Sequence, residues 1–369
     1  MKYRIALVII WALAPLACGF SPSTTPVQQT LAVRSYTGTA SVGDFFTVTL
    51  DPNAQTLTYT DLSNNESGTV AYTANPDGTY TLSDPNGNLL MAYEVPNYVL
   101  LIQAAKTGPH HNTLALVTAV QTSQITLATF ASQKYNYMQF RTSVGGVSIG
   151  AATMNTQTNV TTSSYWPFGE QNQQGAFNSS SFLSSSFQMD PSETFFEIPS
   201  TDGPPSYVFG TPNGIFAVDS PNGAILGLQQ AGSKVFDSTY AATYTAMFYH
   251  KANATMGAGS NVETGTPSMG IASLVVGPTG QFTLTNSSNN IMAQGTLVAV
   301  ADTSYLYGSP NELQDPCFGL FTFRVSTPTT QQDVFVTFLN QAVLFSSYKS
   351  LPSVAGANYY NYFYGVALK

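Results

Sequence analysis

Few residues in this chain could act as general acids, general bases or metal ligands. Its 369 residues include 19 acidic side chains and three histidines. A glycosidase needs two carboxyl groups that flank the scissile bond. The nominal candidates are Glu94, Glu170, Glu197 and Glu312. Because sequence does not show which carboxyl groups could meet, the catalytic residues stay unknown, and a secreted carbohydrate-active or other hydrolase is the alternative hypothesis.

Metal binding has little support. His110 and His111 are adjacent, so their side chains point apart on a strand or loop, and His250 is distant in sequence. Asp61 and Asp84 each begin a run with oxygen side chains at alternate positions, but neither run reaches the later bidentate Glu of a calcium loop. Turn formation explains both runs more simply. We expect no metal site and no cofactor.

Aromatic side chains in a polar context indicate binding. Tyr165, Trp166 and Phe168 lie in the segment 156–186, which is rich in Asn, Gln, Ser and Thr. Long connections often carry binding sites. These three rings are the predicted ligand-binding residues, with a polysaccharide or a surface protein as partner. Burial of Trp166 in the core is an equally open alternative, and the second aromatic run, 359–364, is expected mainly in the core.

Net charge argues against nucleic acid as a partner. Residues 1–17 contain two of the 11 basic residues and no acidic residue, so the remainder carries 9 basic and 19 acidic residues, a net charge of −10. Such a chain repels the phosphate backbone. We therefore expect no nucleic-acid binding.

Residues 1–17 have the composition of an export signal. Lys2 and Arg4 precede an apolar run that is too short to cross a bilayer as a helix. The chain is therefore expected to be exported.

The end of this signal resembles the lipobox of bacterial lipoproteins. Ala17, Cys18 and Gly19 follow the apolar run, although Pro15 stands where that family usually has Leu. The resemblance implies that Cys18 carries lipid and anchors the protein to the membrane. It also implies a place in the cell envelope, as an outer-membrane lipoprotein or outside the cell. The segment 18–35 lacks periodic apolar residues and is predicted to be a flexible tether.

Alternating patterns predict that strands position these candidate residues. Apolar and polar side chains alternate, and β-branched and aromatic types are frequent. The segments with this pattern include 46–50, 56–60, 125–127, 282–285 and 334–338. Triplets of the type Pro-Asn-Gly separate strands and predict turns with a left-handed Gly. Short helices are expected only near 237–242 and 340–348.

The predicted fold is all-β, with antiparallel barrels or sandwiches in two related halves. Residues 80–104 and 207–231 both place Pro-Asn-Gly five residues after a Tyr. We expect a first half over 36–155, the polar connection described above, and a second half over 187–369 that includes a C-terminal extension. Chance similarity between hairpins is the alternative.

A membrane-spanning barrel would show the same alternation. However, the sequence ends in Leu368 and Lys369, without the terminal aromatic residue usual in that group. The sequence therefore favours an exported, lipid-anchored cell-envelope protein with a non-catalytic binding or structural role.

Overall fold

The computed structural model describes most of the chain from residue 31 onwards. The described ranges are 31–83, 89–104, 114–131, 133–142, 149–154, 159–165, 177–183, 187–200, 203–221, 223–256, 263–300, 318–326, 330–352 and 360–369. The predicted signal peptide and Cys18 lie outside these ranges. No helix in the described part is long and apolar enough to span a bilayer.

Residues 34–121 form a closed eight-stranded barrel, called here the first barrel. Its strands, in order, are β1 (Arg34–Ala40), β2 (Phe45–Asp51), β3 (Thr56–Asp61), β4 (Glu66–Ala74), β5 (Thr79–Ser83), β6 (Leu89–Val95), β7 (Val99–Ala104) and β8 (Ala115–Gln121). Tyr36 and Leu50 belong to the core that fills it. β8 closes on β1 where Gly38 faces Ala119, and a Cβ on residue 38 would lie 2.6 Å from the Ala119 Cβ. Glycine therefore allows close pairing at the seam.

Strands β7 and β8 are buried on both faces, which explains their almost continuous apolar sequences. Leu100 packs inside the first barrel, whereas Val99 and Leu101 belong to a second core shared with other sheets. Successive side chains of a strand point to opposite faces. A strand covered on both sides therefore needs apolar residues at consecutive positions.

The central sheet has nine strands. They are β9 (Lys134–Phe140), β10 (Ile149–Met154), β11 (Asn159–Tyr165), β12 (Phe177–Leu183), β13 (Gln188–Met189), β14 (Phe196–Ile198), β15 (Ser206–Thr211), β16 (Ile215–Ser220) and β17 (Gly223–Gln229). Their order is β12-β11-β10-β9-β17-β16-β15-β14-β13. Two of them, β11 and β12, lie in the predicted connection 156–186. The sheet thus contains strands from before this segment, β9 and β10, and from after it, β13 to β17. The predicted domain boundaries stay a proposal.

The third sheet is nearly closed into a second barrel. Its strands are β18 (Ala242–Met256), β19 (Glu263–Val276), β20 (Gln281–Asn286), β21 (Ile291–Thr296), β22 (Val298–Ala299), β23 (Leu320–Ser326), β24 (Thr330–Leu339), β25 (Ala342–Pro352) and β26 (Tyr360–Leu368), in the order β21-β20-β19-β18-β26-β25-β24-β23-β22. β21 contacts β23, and a Cβ on Gly295 would lie 2.3 Å from the Phe323 ring. The predicted all-β fold, with two barrel-like halves, is confirmed.

One core joins all three sheets. It includes Phe45 from the first barrel, Phe209 from the central sheet and Phe335 from the third sheet, each at most 1% exposed. The second aromatic run also contributes, since Tyr362 and Tyr364 are buried in this core. The prediction that this run packs mainly inside is confirmed for these described residues.

The predicted turns are confirmed where the structure describes them. Gly78, Gly214 and Gly280 end three of the predicted triplets and have φ values of 83°, 91° and 81°. Glycine enters this left-handed region without the steric penalty of a Cβ. These triplets therefore form tight turns between strands.

The strand predicted at 125–127 is wrong. The short helix α1 spans Leu127–Phe130, and the backbone N–H of Thr126 donates to Thr129 Oγ1 at 2.9 Å. Threonine hydroxyls that bond to nearby backbone groups favour helix starts, and this local bond competes with the strand pattern.

Of the two predicted helices, one forms as a single 3₁₀ turn and the other is wrong. Residues Ser238–Tyr240 form the turn inside 237–242. By contrast, 340–348 enters β25 after a two-residue turn in which Asn340 has φ 50°. Asn tolerates this conformation, so the chain reverses there and pairs with β24.

The two similar segments have the same local topology. Residues 80–104 contain the meander β5-β6-β7, and residues 207–231 contain the meander β15-β16-β17. Sequential antiparallel strands often pair in this way. Because such meanders are common, the shared topology does not test duplication of the halves, which stays a prediction.

Candidate functional site

The aromatic residues predicted to bind a ligand are only partly described. Tyr165 is the last residue of β11, where its backbone lies opposite Ile149 and Phe177. Trp166 and Phe168 lie outside the described residues. The hypothesis that these three rings form a binding site stays a prediction.

Glu94 is the centre of a buried network inside the first barrel. Arg34 Nε donates to Glu94 Oε1 at 2.6 Å, and Arg34 Nη2 donates to Oε2 at 2.8 Å. The Tyr80 hydroxyl donates to Oε2 at 2.9 Å, and the Tyr36 hydroxyl donates to Oε1. Both carboxylate oxygens are thus engaged by protein groups. This arrangement supports a structural role for Glu94.

The electrostatics of this network keep its donors protonated. Burial, followed by the Glu94 carboxylate, raises the pKa of both Tyr36 and Tyr80. The hydrogen bond from Arg34 to Glu94 raises the pKa of the guanidinium further. Both hydroxyls and the guanidinium therefore remain donors at physiological pH.

The other nominal catalytic carboxylates are not placed beside Glu94 by any described contact. Glu197 lies in β14 of the central sheet, opposite Gln188 and Tyr207. Glu170 and Glu312 lie outside the described ranges. Among the nominal glutamates, the two that the structure describes, Glu94 and Glu197, are therefore not brought together as the pair of carboxylates expected for a hydrolase.

The structure describes two of the residues considered as metal ligands. His250 lies in β18, where burial lowers its pKa. Asp61 accepts hydrogen bonds from the Asn64 backbone at 3.1 Å and from its side-chain amide at 2.8 Å, as expected for a turn. The described part of the chain contains no group of three His, Cys, Asp or Glu suited to a metal ion. His110, His111 and Asp84 lie outside it.

A cleft of about 310 Å³ lies between the central and third sheets. We call it the amide cleft, and its lining residues are Gln133, Lys134, Gln229, Gln230, Ala231 and Phe318. They come from the start of β9, the end of β17 and the turn before β23. Each amide offers both donors and an acceptor. The cleft therefore combines hydrogen-bonding groups of both kinds with one cation and one aromatic ring.

The wall formed by Phe318 is fixed by a buried side chain. Asn136 is fully buried, and its Nδ2 donates to the Phe318 carbonyl at 2.8 Å and to Thr337 Oγ1 at 3.2 Å. Gly319 has φ 78°, and a Cβ there would lie 3.0 Å from the Ala231 Cβ. The two sheets thus approach closely at this wall. Asn136 holds the turn that contains Phe318.

The amides of the cleft are partly preorganised. Gln229 Nε2 donates to Gln133 Oε1 at 2.6 Å, which fixes these two side chains against each other. The backbone N–H of Gln230 donates to the Lys134 carbonyl at 2.8 Å. Gln230 Nε2 is buried and has no partner among the described residues. Because this donor makes no hydrogen bond to the described residues, a rotation of the Gln230 side chain toward the cleft would offer it to a ligand without the loss of an existing bond.

No pattern in the sequence predicts the amide cleft. Its residues stand near positions 133, 230 and 318 and belong to no recognisable motif. β9 and β17 become neighbours only through the strand order of the central sheet. The adjacent Gln229 and Gln230 are a possible signal, but polar residues of this kind are frequent throughout the chain.

No protein-family model matches this chain, and no curated protein matches it. Among solved structures, it is similar to a double mutant of the vaccine antigen Transferrin Binding Protein B from Haemophilus parasuis Hp5, at 8% identity and a TM-score of 0.27, over 92% of this chain and 76% of that chain. A single mutant of the same antigen gives the same identity and coverage with a TM-score of 0.24. The DNA polymerase III subunit beta from Pseudomonas aeruginosa gives 7% identity and a TM-score of 0.12, over 93% and 94% of the two chains. TM-scores this low do not demonstrate a shared fold.

Proposed function

We propose that this chain is an exported cell-envelope protein, lipid-anchored at Cys18, with a non-catalytic binding role. The observation that supports binding is the amide cleft, which is lined by Gln133, Gln229, Gln230 and Phe318. Ligand sites typically combine apolar or aromatic walls with a few convergent polar groups. The predicted site at Tyr165, Trp166 and Phe168 is a separate part of the proposal.

The chemistry of the amide cleft favours a neutral polar ligand, such as part of a polysaccharide. Sugar hydroxyls both donate and accept hydrogen bonds, and amide side chains match both roles. A sugar ring also presents an apolar face that can pack on an aromatic ring such as Phe318. The cleft volume of about 310 Å³ is at the lower end of the range for small-ligand sites. A short saccharide segment or chain end is the expected occupant, and a surface protein is the alternative partner.

The carboxylate geometry supports the non-catalytic role over the hydrolase alternative. Both oxygens of Glu94 accept hydrogen bonds from Arg34, Tyr36 and Tyr80. A carboxylate held in this way has little capacity left to bind a substrate or a catalytic water. The geometry of Glu94 therefore favours a structural role for this residue over a catalytic one.

Removing the amide of Gln230 should weaken ligand binding. We expect Gln230→Ala to lower the affinity for the bound saccharide by about 3–10-fold, the effect of one neutral hydrogen bond of about 0.5–1.5 kcal/mol. The measurement is a glycan-array screen of the wild-type protein, followed by titration calorimetry with the best-retained glycan.

The matched control is Gln294→Ala, because Gln294 is an exposed glutamine on β21. It should bind like the wild type. If the wild type retains no glycan, or if both variants lose affinity equally, the amide cleft is not a saccharide site.

Removing the predicted lipid attachment residue should release the protein from membranes. We expect Cys18→Ser to move the protein from the membrane fraction to the soluble fraction of its native host, because a serine cannot carry the thioether-linked lipid. Mass spectrometry of the mature N-terminus should find an acyl group on Cys18 in the wild type. Cys317→Ser is the matched control and should remain in the membrane fraction. A mature N-terminus elsewhere, without an acyl group, contradicts the anchor.

A further inference from the structure

Three buried aspartates interact electrostatically where the first barrel contacts the central sheet. Asp44 precedes β2, Asp61 ends β3, and Asp219 lies in β16. Their exposed fractions are 2%, 2% and 1%. Burial of a carboxylate is unfavourable unless it is paired, hydrogen-bonded or protonated. We call these residues the aspartate cluster.

The hydrogen bonds of the cluster do not satisfy all of its oxygens. Thr39 Oγ1 on β1 donates to Asp219 Oδ1 at 2.5 Å. Asn64 Nδ2 donates to Asp44 Oδ1 at 2.9 Å and to Asp61 Oδ2 at 2.8 Å. Asp44 Oδ2 is buried and has no hydrogen-bond partner among the described residues. A proton on one carboxyl group would supply a donor where the protein supplies none.

The elements packed around Asp219 bring mainly negative or neutral groups. From the first barrel, Asp44 and Asp61 act on it electrostatically. Within the central sheet, Tyr207 lies opposite it in the register of β15 and β16. The nearest described cation in the strand order is Arg141, which directly follows β9. It lies beside Gly223, the first residue of β17, since a Cβ on Gly223 would lie 2.7 Å from the Arg141 Cγ.

No cation among the described residues balances the cluster. No ion pair to Asp44, Asp61 or Asp219 occurs within the described ranges. Burial, followed by the charge of neighbouring aspartates, raises the pKa of Asp219 well above its usual value, although the bond from Thr39 opposes this shift. Burial is also the first cause that raises the pKa of Asp61. Proton uptake is therefore favoured in the folded state.

We propose that protonation of the aspartate cluster strengthens the contact between the first barrel and the central sheet, so that this junction is a proton-sensitive latch. Asp219 is the central group, since it is 1% exposed on β16 at this junction, where burial disfavours its ionised form more than the hydrogen bond from Thr39 favours it. The contact is more stable in acid and becomes less stable as Asp219 ionises. This proposal does not depend on the function proposed above.

The sign of the pH dependence follows from linkage. Because the folded-state pKa of Asp219 is higher than its unfolded-state value, its stabilising contribution is complete below about pH 4. That contribution is lost as the pH rises through the folded-state pKa. One linked proton changes the unfolding equilibrium constant by up to about tenfold per pH unit in this window.

The test compares the pH dependence of unfolding in wild type and Asp219→Asn. Asn keeps the size of the side chain and an acceptor for Thr39 but cannot ionise. Thermal melts from about pH 4 to about pH 8 should show the variant gaining stability relative to wild type as the pH rises. Amide hydrogen exchange should place the wild-type loosening in β1 and β16.

Asp237→Asn is the matched control, for which the change in relative stability with pH should have the opposite sign. Asp237 is exposed and accepts a hydrogen bond from the Thr239 backbone, which lowers its pKa. Such a carboxylate stabilises the fold above its unfolded-state pKa. The Asp237→Asn variant should therefore lose stability relative to wild type as the pH rises.

A second variant covers the case in which Asp219→Asn does not fold. Thr39→Val removes the donor that favours ionised Asp219, so the folded-state pKa of Asp219 should rise further. The stability that wild type has in acid should then persist to higher pH in this variant. Equal pH dependence in wild type and both variants overturns the latch. It is equally overturned if calcium ions raise the melting temperature of wild type but not of Asp219→Asn, since the cluster would then bind a cation.

Discussion

Replacing Arg34 by Met should lower the free energy of unfolding by about 3–5 kcal/mol. The change removes two charge-assisted hydrogen bonds and leaves the Glu94 carboxylate buried without its cation. Tyr36 and Tyr80 would still donate to Glu94, but neutral hydroxyls do not balance its charge. Urea denaturation followed by circular dichroism measures the loss.

The control is the double variant Arg34→Met/Glu94→Leu. Replacement of a buried ion pair by apolar side chains is often close to neutral, so the double variant should recover most of the stability lost in Arg34→Met. A loss below about 1 kcal/mol in Arg34→Met would place the pair in the weak, solvent-screened class. In that case the network would not be a structural anchor of the first barrel.

The variant Phe45→Ala should also lose about 3–5 kcal/mol of stability, because it removes a ring from the core between the first barrel and the central sheet. Phe45 is fully buried, and its ring stacks on Tyr207 with centroids 4.4 Å apart. The rings of Phe195 and Phe209 lie 4.9 Å and 5.4 Å away. Three aromatic neighbours leave little room for the cavity to collapse.

The adjacent residue provides a control for Phe45→Ala. Phe46 points into the first barrel, where its ring lies 6.4 Å from Tyr59. Phe46→Ala should therefore loosen the barrel interior, whereas Phe45→Ala should raise hydrogen exchange in β15 and β16 of the central sheet. Identical exchange patterns for the two variants would contradict this assignment of faces.

The two barrel-like sheets and the central sheet give the chain several buried polar groups with different roles. The Glu94 network is electrically balanced by Arg34, and the aspartate cluster is not balanced by any described cation. The first should therefore stabilise the fold over a wide pH range. The stabilising contribution of the second should be complete in acid and should be lost as the pH rises. A single protein thus carries a fixed polar anchor and a titrating one.

Local patterns in the sequence predict the all-β class, four of the five strand segments named above and the tight turns that the structure describes. Alternation of side chains follows directly from strand geometry, and a left-handed turn position selects Gly or Asn through short-range sterics. These effects act within a few residues. The exceptions were also local: a Thr126 hydrogen bond at α1 and the turn at Asn340 overrode the predicted elements.

Only the tertiary structure decided which distant residues meet. Arg34 and Glu94 are 60 positions apart, and Thr39 and Asp219 are 180 positions apart. The amide cleft likewise depends on the pairing of β9 with β17 and on the turn before β23. Sheet order and the choice of covered face depend on the total burial of many strands together, so no local pattern encodes them. The sequence therefore determined what kind of elements form, and the packing of three sheets determined where their polar side chains converge.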